Sequence, residues 1–292
     1  MGAKPPFDLQ KSLRFIDGIP QISGEQDTSR GMLTKAVMVD GQTVVFRVSP
    51  ERDGRGVYYE IFSETPITKA VAEKVSDGVS FFLSLEDDLA PFYAIAARDP
   101  KFYPIAKSQV GLHHVKSWSL FEITCWALLS QRTQRPVAKK TKDAMTERFG
   151  GSIEFEGKTY RAFPDHQTLK TAKVAEILAV TRNRRTAERI SSLLSTFEDL
   201  EEEFLLTAPY EKAEERLKRI KGIGDWSAQF ILFRGLGRIR KIQLNMGPAA
   251  RVVEDVYGPE LDPDEINRVY GEWCGYWSIY LRASEMASSQ ED

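Results

Sequence analysis

Membrane, disulfide and metal chemistry are the first things this sequence lacks the residues for. No run of about 18 apolar residues occurs, so a membrane-spanning helix is not expected. The opening Met1-Gly2-Ala3-Lys4-Pro5-Pro6 lacks the apolar core of a signal peptide, which points to the cytoplasm. Cys125 and Cys274 are the only cysteines, each in an aromatic-rich, helical-looking stretch, and they read as two buried thiols in a reducing compartment. Three histidines (His113, His114 and His166) without a Cys/His cluster speak against a zinc site. No internal repeat or low-complexity tract is visible. A positive surplus is missing too, since the net charge is -2.

What is present is an ordinary globular composition, 42% hydrophobic and 28% charged, with its charges sorted into blocks. Acidic residues pool at Glu86 to Asp88, Glu198 to Glu203, Asp262 to Glu265 and the Glu291-Asp292 tail. Basic residues pool at Arg132 to Arg148, Arg182 to Arg189, Arg216 to Lys221 and Arg234 to Lys241. One such run is usually a solvated helix face. Several around one motif can form a local patch, and local potential rather than net charge attracts phosphate.

The patterning predicts an α+β chain. Met32 to Val39 and Thr43 to Val48 alternate around Asp40-Gly41, a strong hairpin signal, and Val57 to Phe62 adds a strand. Phe7 to Ile16 is a short helix or strand, and Ile67 to Leu83 has helical spacing. Residues 1–84 are therefore expected to form a small antiparallel-sheet domain. Residues 85–292 read as almost wholly helical in two subdomains, one of about 119–210 and the other of 85–118 with 211–292. Ser119-Leu120-Phe121-Glu122 has the form of a capping box opening a helix through Leu129. Helices are expected from Pro136 to Phe149, Pro164 to Leu178, Thr186 to Phe197 and Glu211 to Arg219, with a small hairpin around Glu156-Gly157.

The most informative segment is Leu217-Lys218-Arg219-Ile220-Lys221-Gly222-Ile223-Gly224-Asp225-Trp226-Ser227-Ala228. Two glycines allow a tight reversal between helices and a close approach of backbone amides to a ligand. The second helix starts after Gly224, so its unpaired N–H groups and positive dipole end face outward. With Lys218 and Lys221 nearby and Ser227 in the first turn, such a turn suits a DNA phosphate, contacted without reading sequence. An ordinary glycine-cornered αα-hairpin is the alternative.

This hairpin, followed by a helix start at Asn245-Met246-Gly247-Pro248, resembles the helix-hairpin-helix DNA glycosylase superfamily, in particular the 3-methyladenine DNA glycosylase II type. Pro6-Phe7-Asp8, Leu128-Leu129-Ser130-Gln131-Arg132 and Trp273-Cys274-Gly275-Tyr276-Trp277 resemble further motifs of that branch, so the likeness covers nearly the whole chain. The resemblance implies a monomeric enzyme that flips a damaged purine out of double-stranded DNA and hydrolyses its N-glycosidic bond. It implies a base pocket of Gln131, Trp226 and Phe230, a wedge at Arg132, and backbone grip by Gly222, Gly224, Lys218, Lys221 and Ser227. No cofactor is required. The carbonyls of Lys218, Ile220 and Ile223 match positions that hold a structural Na or K ion. Trp226 replaces the lysine of bifunctional relatives, which implies a monofunctional enzyme without Schiff-base chemistry.

Two positions depart from the branch. The last helix lacks its pocket tryptophan, reading Leu281-Arg282-Ala283-Ser284-Glu285-Met286 instead, so Glu285 or a neighbour would face the base. The catalytic aspartate position reads Asn245, with Met246 the alternative alignment, and no acid lies between Asp225 and Glu254. A carboxylate there would stabilise the oxocarbenium-like sugar. Asn245 is expected to impair that step, which leaves three readings: a crippled glycosylase, a non-catalytic lesion-recognition member, and a helical DNA-binding scaffold without a base pocket.

Overall fold

The computed structural model describes residues 1–51, 56–238, 249–259 and 261–288. A four-stranded antiparallel sheet runs in sequence order: β1 (Gln26–Asp27), β2 (Leu33–Val39), β3 (Gln42–Pro50) and β4 (Val57–Phe62). Asp40 and Gly41, at φ 52° and 77°, close the two-residue turn that pairs Val39 with Gln42. Positive φ at both central residues gives the hairpin turn whose twist matches that of its strands. Leu33, Val37, Val44, Phe46 and Val48 then share one face, packed with Val71, Val75, Val79 and Phe82 of the Lys69–Phe82 helix.

The other face is covered as well. A second hairpin, β5 (Gly151–Phe155) with β6 (Lys158–Ala162), lays Ile153, Tyr160 and Ala162 against Ala36 and Val45. Residues far apart in sequence close the core beneath the sheet. Tyr270, Cys274, Trp277 and Tyr280, the last three on the final helix Cys274–Ser288, pack with Phe92, Phe102 and Leu112. This core passes through residue 84 without a break, since Phe82, Leu83, Leu85 and Leu89 all belong to it. The Pro6-Phe7-Asp8 segment also acquires a physical role. Asp8 caps the Leu9–Asp17 helix, its carboxylate accepting from the Gln10 and Lys11 amides, and Phe7 meets His113 edge-on at 5.2 Å.

Residues 120–236 hold a second core, built around the Leu120–Leu129 helix, whose ten residues are all buried. Ser119 caps that helix as expected, accepting from the Glu122 amide at 3.1 Å. The reciprocal half of the box is absent. Glu122 turns inward, and its carboxylate accepts from Lys142 Nζ at 2.6 Å, which also donates to Glu25 at 2.6 Å. The helix expected from Pro164 to Leu178 is two helices, His166–Leu169 and Val174–Thr181. Extended backbone at Lys173 breaks it, and the Glu176 carboxylate, accepting from the Lys173 amide at 2.9 Å, starts the second. Both cysteines are buried and unpaired. Among the described residues no helix is long and apolar enough to cross a membrane.

Candidate functional site

The glycine turn joins the Tyr210–Lys218 helix to the Asp225–Leu236 helix. Leu217, Ile220, Ile223, Ala228 and Ile231 are all buried, so apolar burial on both sides fixes the reversal. The two glycines do different work. Gly222 has φ 98°, which disfavours any side chain, and a Cβ there would lie 2.7 Å from Arg189 Nε. Gly224 has extended backbone, and a Cβ there would meet nothing within 4 Å. It caps the second helix without a side-chain acceptor, so the first-turn amides keep their capacity to bind an anion. Lys218 leans across this mouth to pair with exposed Asp225 at 2.9 Å, while Lys221 is exposed.

Gln131 joins the hairpin to the end of the buried Leu120–Leu129 helix. Its amide nitrogen donates to the Gly222 carbonyl at 2.5 Å and reaches Ser227 Oγ at 3.4 Å, while its oxygen accepts from Arg189 Nη1 at 2.5 Å. The next residue, Arg132, is exposed and stands at φ 52°, on a turn projecting from that helix end. Burial, with Arg185 and Arg132 close by, lowers the proton affinity of Arg189, which marks a cationic cluster beside the turn.

Trp226 and Phe230, one turn apart on the second hairpin helix, stack at 5.3 Å between centroids and 10° between planes. Trp226 is 50% exposed, which a residue recruited only for core packing would not be. Both open onto a cavity of about 460 Å³ at the seam between the two cores, a size typical of small-ligand sites. Its other walls come from Phe15, Trp126, Phe233, Arg135, Arg234, Arg282, Ser130, Thr133 and Ser278. A larger groove of about 1140 Å³ runs past Arg238, Asp262 and Glu272, but holds none of the expected site residues.

The structure thus brings Trp226 and Phe230 together at the cavity. Gln131, expected in the pocket, is not among the lining residues, because its amide is used by the hairpin. Glu285 does not line it either; Arg282, nearly one turn earlier, does, donating to the Gly18 carbonyl at 3.2 Å. Asn245 and Met246 lie outside the described residues. Phe15 and Trp126 have no counterpart among the expected site residues, and Arg234 is marked by the sequence only as the first residue of a basic run. Trp126 precedes Ser130 by one turn, but within a uniformly apolar helix no periodicity singles it out. Arg234 contacts His114 Nε2 at 3.4 Å, and burial followed by the nearby Arg282 lowers its pKa to about 10. Burial, then Arg234 and Lys116, pushes His114 well below the ordinary histidine value, so it is neutral.

No family model matches the chain. It is 25% identical over 288 residues to a DNA-3-methyladenine glycosylase of Bacillus subtilis, an alignment covering 94% of this chain and 93% of that one. In three dimensions it superposes on a 3-methyladenine DNA-glycosylase from Archaeoglobus fulgidus with a TM-score of 0.76 at 23% identity, covering 96% of each chain. A Clostridium acetobutylicum 8-oxoguanine glycosylase/lyase, solved with double-stranded DNA, gives a TM-score of 0.68 at 18% identity, covering 97% of this chain and 93% of that one.

Proposed function

We propose that this chain, which belongs to the helix-hairpin-helix DNA glycosylase superfamily, grips duplex DNA through its glycine hairpin and receives a flipped, damaged base in the cavity beside Trp226 and Phe230. One observation carries the reading: the helix that begins at the phosphate-suited turn also bears the half-exposed aromatic stack one turn later. Backbone grip and base capture are therefore set by one rigid element. The likeness to proteins named 3-methyladenine glycosylases favours alkylated bases and hydrolysis of the N-glycosidic bond.

Arg132, on its projecting turn, serves as the wedge that fills the gap in the stack. Gln131 acts as a positioning residue, holding that turn against the hairpin. Trp226 offers no amine, so attack is by water and no Schiff base forms. The carbonyls of Lys218, Ile220 and Ile223 suit a hard alkali cation. Ile220 already accepts from the Ile223 amide at 3.0 Å, and its second lone pair is left for that role. Binding such an ion would stiffen the turn and add positive potential for the phosphate.

Asn245 carries no charge to stabilise the oxocarbenium-like sugar left as the base departs, which favours a second reading: a member that finds and flips lesions without cleaving them. One experiment separates the two. Excision across a panel of modified bases, measured on this chain and on Asn245→Asp, should rise strongly in the variant. An Asp variant that is inert on every lesion yet still binds them would decide for the non-catalytic reading.

A further inference from the structure

Resting on the base-capture reading, we propose that the cavity selects neutral lesions whose exposed edge carries hydrogen-bond acceptors, and disfavours permanently cationic alkylpurines. Three guanidinium groups converge on it from three elements. Arg135 stands at the start of the Arg135–Phe149 helix, Arg234 on the hairpin helix and Arg282 on the final helix. No carboxylate is among the described lining residues.

Two of the three lining arginines have neutral partners. Arg282 donates to the Gly18 carbonyl and Arg234 contacts neutral His114, so among the described residues neither is neutralised by an ion pair inside the cavity. A guanidinium has five N–H donors in a planar fork, and the bond to Gly18 uses one of those of Arg282. The groups also feel one another. Burial and then Arg135 lower the proton affinity of Arg282, and Glu285, outside the lining, offsets this only in part. A further positive charge entering this space meets the same field.

Magnitudes decide the direction. Stacking on Trp226 and Phe230 favours a cationic base over a neutral one by roughly three- to thirtyfold. One guanidinium about 6 Å away, at an effective dielectric near 20, disfavours it by on the order of a hundredfold. With more than one arginine on the walls, repulsion wins. A carbonyl oxygen or unprotonated ring nitrogen is instead a partner for the same forks.

The test is fluorescence anisotropy of the complete protein on duplexes with one hypoxanthine, one 1,N6-ethenoadenine, one 7-methylguanine or no lesion. The two neutral lesions should bind at least tenfold more tightly than 7-methylguanine. Arg282→Gln should narrow that ratio severalfold, weakening the neutral lesions and strengthening the cationic one. Arg135→Gln, at an exposed helix start, should move the ratio the same way if the first variant folds poorly. Equal or tighter binding of 7-methylguanine, or a ratio unmoved by both variants, would overturn the proposal. If lesions bind but the cation is preferred, only this inference fails. If none of the lesions binds better than undamaged duplex, in this chain or in Asn245→Asp, base capture itself fails with it.

Discussion

The two halves of the molecule close their cores in opposite ways. Residues 120–236 bury their apolar side chains among themselves, whereas the sheet's core is completed by Trp277 and Tyr280, more than two hundred residues downstream of the strands. The first half carries the hairpin, and the second supplies Phe15, Ser278 and Arg282 to the cavity. The cavity is therefore a seam, and its shape depends on what holds the halves together. Much of that falls to Lys142, fully buried between Glu122 of its own half and Glu25 of the other. A second tie is the Asp165 carboxylate, which accepts from the Gly41 amide on the sheet's turn at 2.8 Å.

Breaking the seam should have the largest effect. Lys142→Met leaves the buried Glu122 carboxylate without its cation and removes one of three lysines from Glu25, and should cost about 3–5 kcal/mol in denaturant unfolding. Acid should weaken the same tie. Burial pushes the Glu25 carboxyl up, but Lys142, Lys35 and Lys139 outweigh it and hold it below its ordinary value. Its contribution is thus present at neutral pH and fades as pH falls through that lowered range. An unfolding curve of Lys142→Met that matches the parent would deny the lysine this role.

Next in size is Asn245→Asp, expected to raise excision by about two to three orders of magnitude, since one added charge about 4 Å from the developing cation suffices. Single-turnover assays on lesion duplex would read it. Gly222→Asp should weaken binding of every duplex by roughly ten- to a hundredfold, because it strains the turn, strikes Arg189 and places an anion where a phosphate approaches. Trp226→Ala should separate the halves of the site. Affinity for undamaged duplex should hold, while preference for lesion duplex falls by about tenfold. The smallest change is Gly224→Ala, where the chain has room for a methyl, so an intact melting temperature with a few-fold loss of duplex affinity would locate the phosphate there.

How much of this was legible depended on sequence distance. The Asp40-Gly41 turn, the Ser119 cap and the glycine hairpin are local, and each lies where the residues predicted. Glu122 misled because a capping glutamate and a buried ion-pair glutamate look alike until Lys142, twenty residues on, is placed beside it. Gln131 is similar: its identity is plain in the sequence, but the direction of its amide depends on Gly222 and Arg189. Phe15, Trp126 and Arg282 reach one cavity from three distant segments, and no spacing rule joins them. Within the last-helix stretch that lacks the branch's tryptophan, Arg282 is the residue that stands at the wall.

The bridge from Arg189 through Gln131 to Gly222 has a mechanical consequence. It sets a fixed span between the turn bearing Arg132 and the loop suited to a phosphate, as the arms of a caliper are locked by a screw. On the proposed function, arms locked in this way are expected to make the duplex bend to fit. The cost then depends on how easily the flanking steps unstack: low at pyrimidine–purine steps, high in stiff A-tracts. The same lesion should therefore be held more tightly between TA steps than inside an A-tract. Gln131→Ala, which unlocks the arms, should flatten that dependence on neighbouring sequence even though no base edge beside the lesion is read.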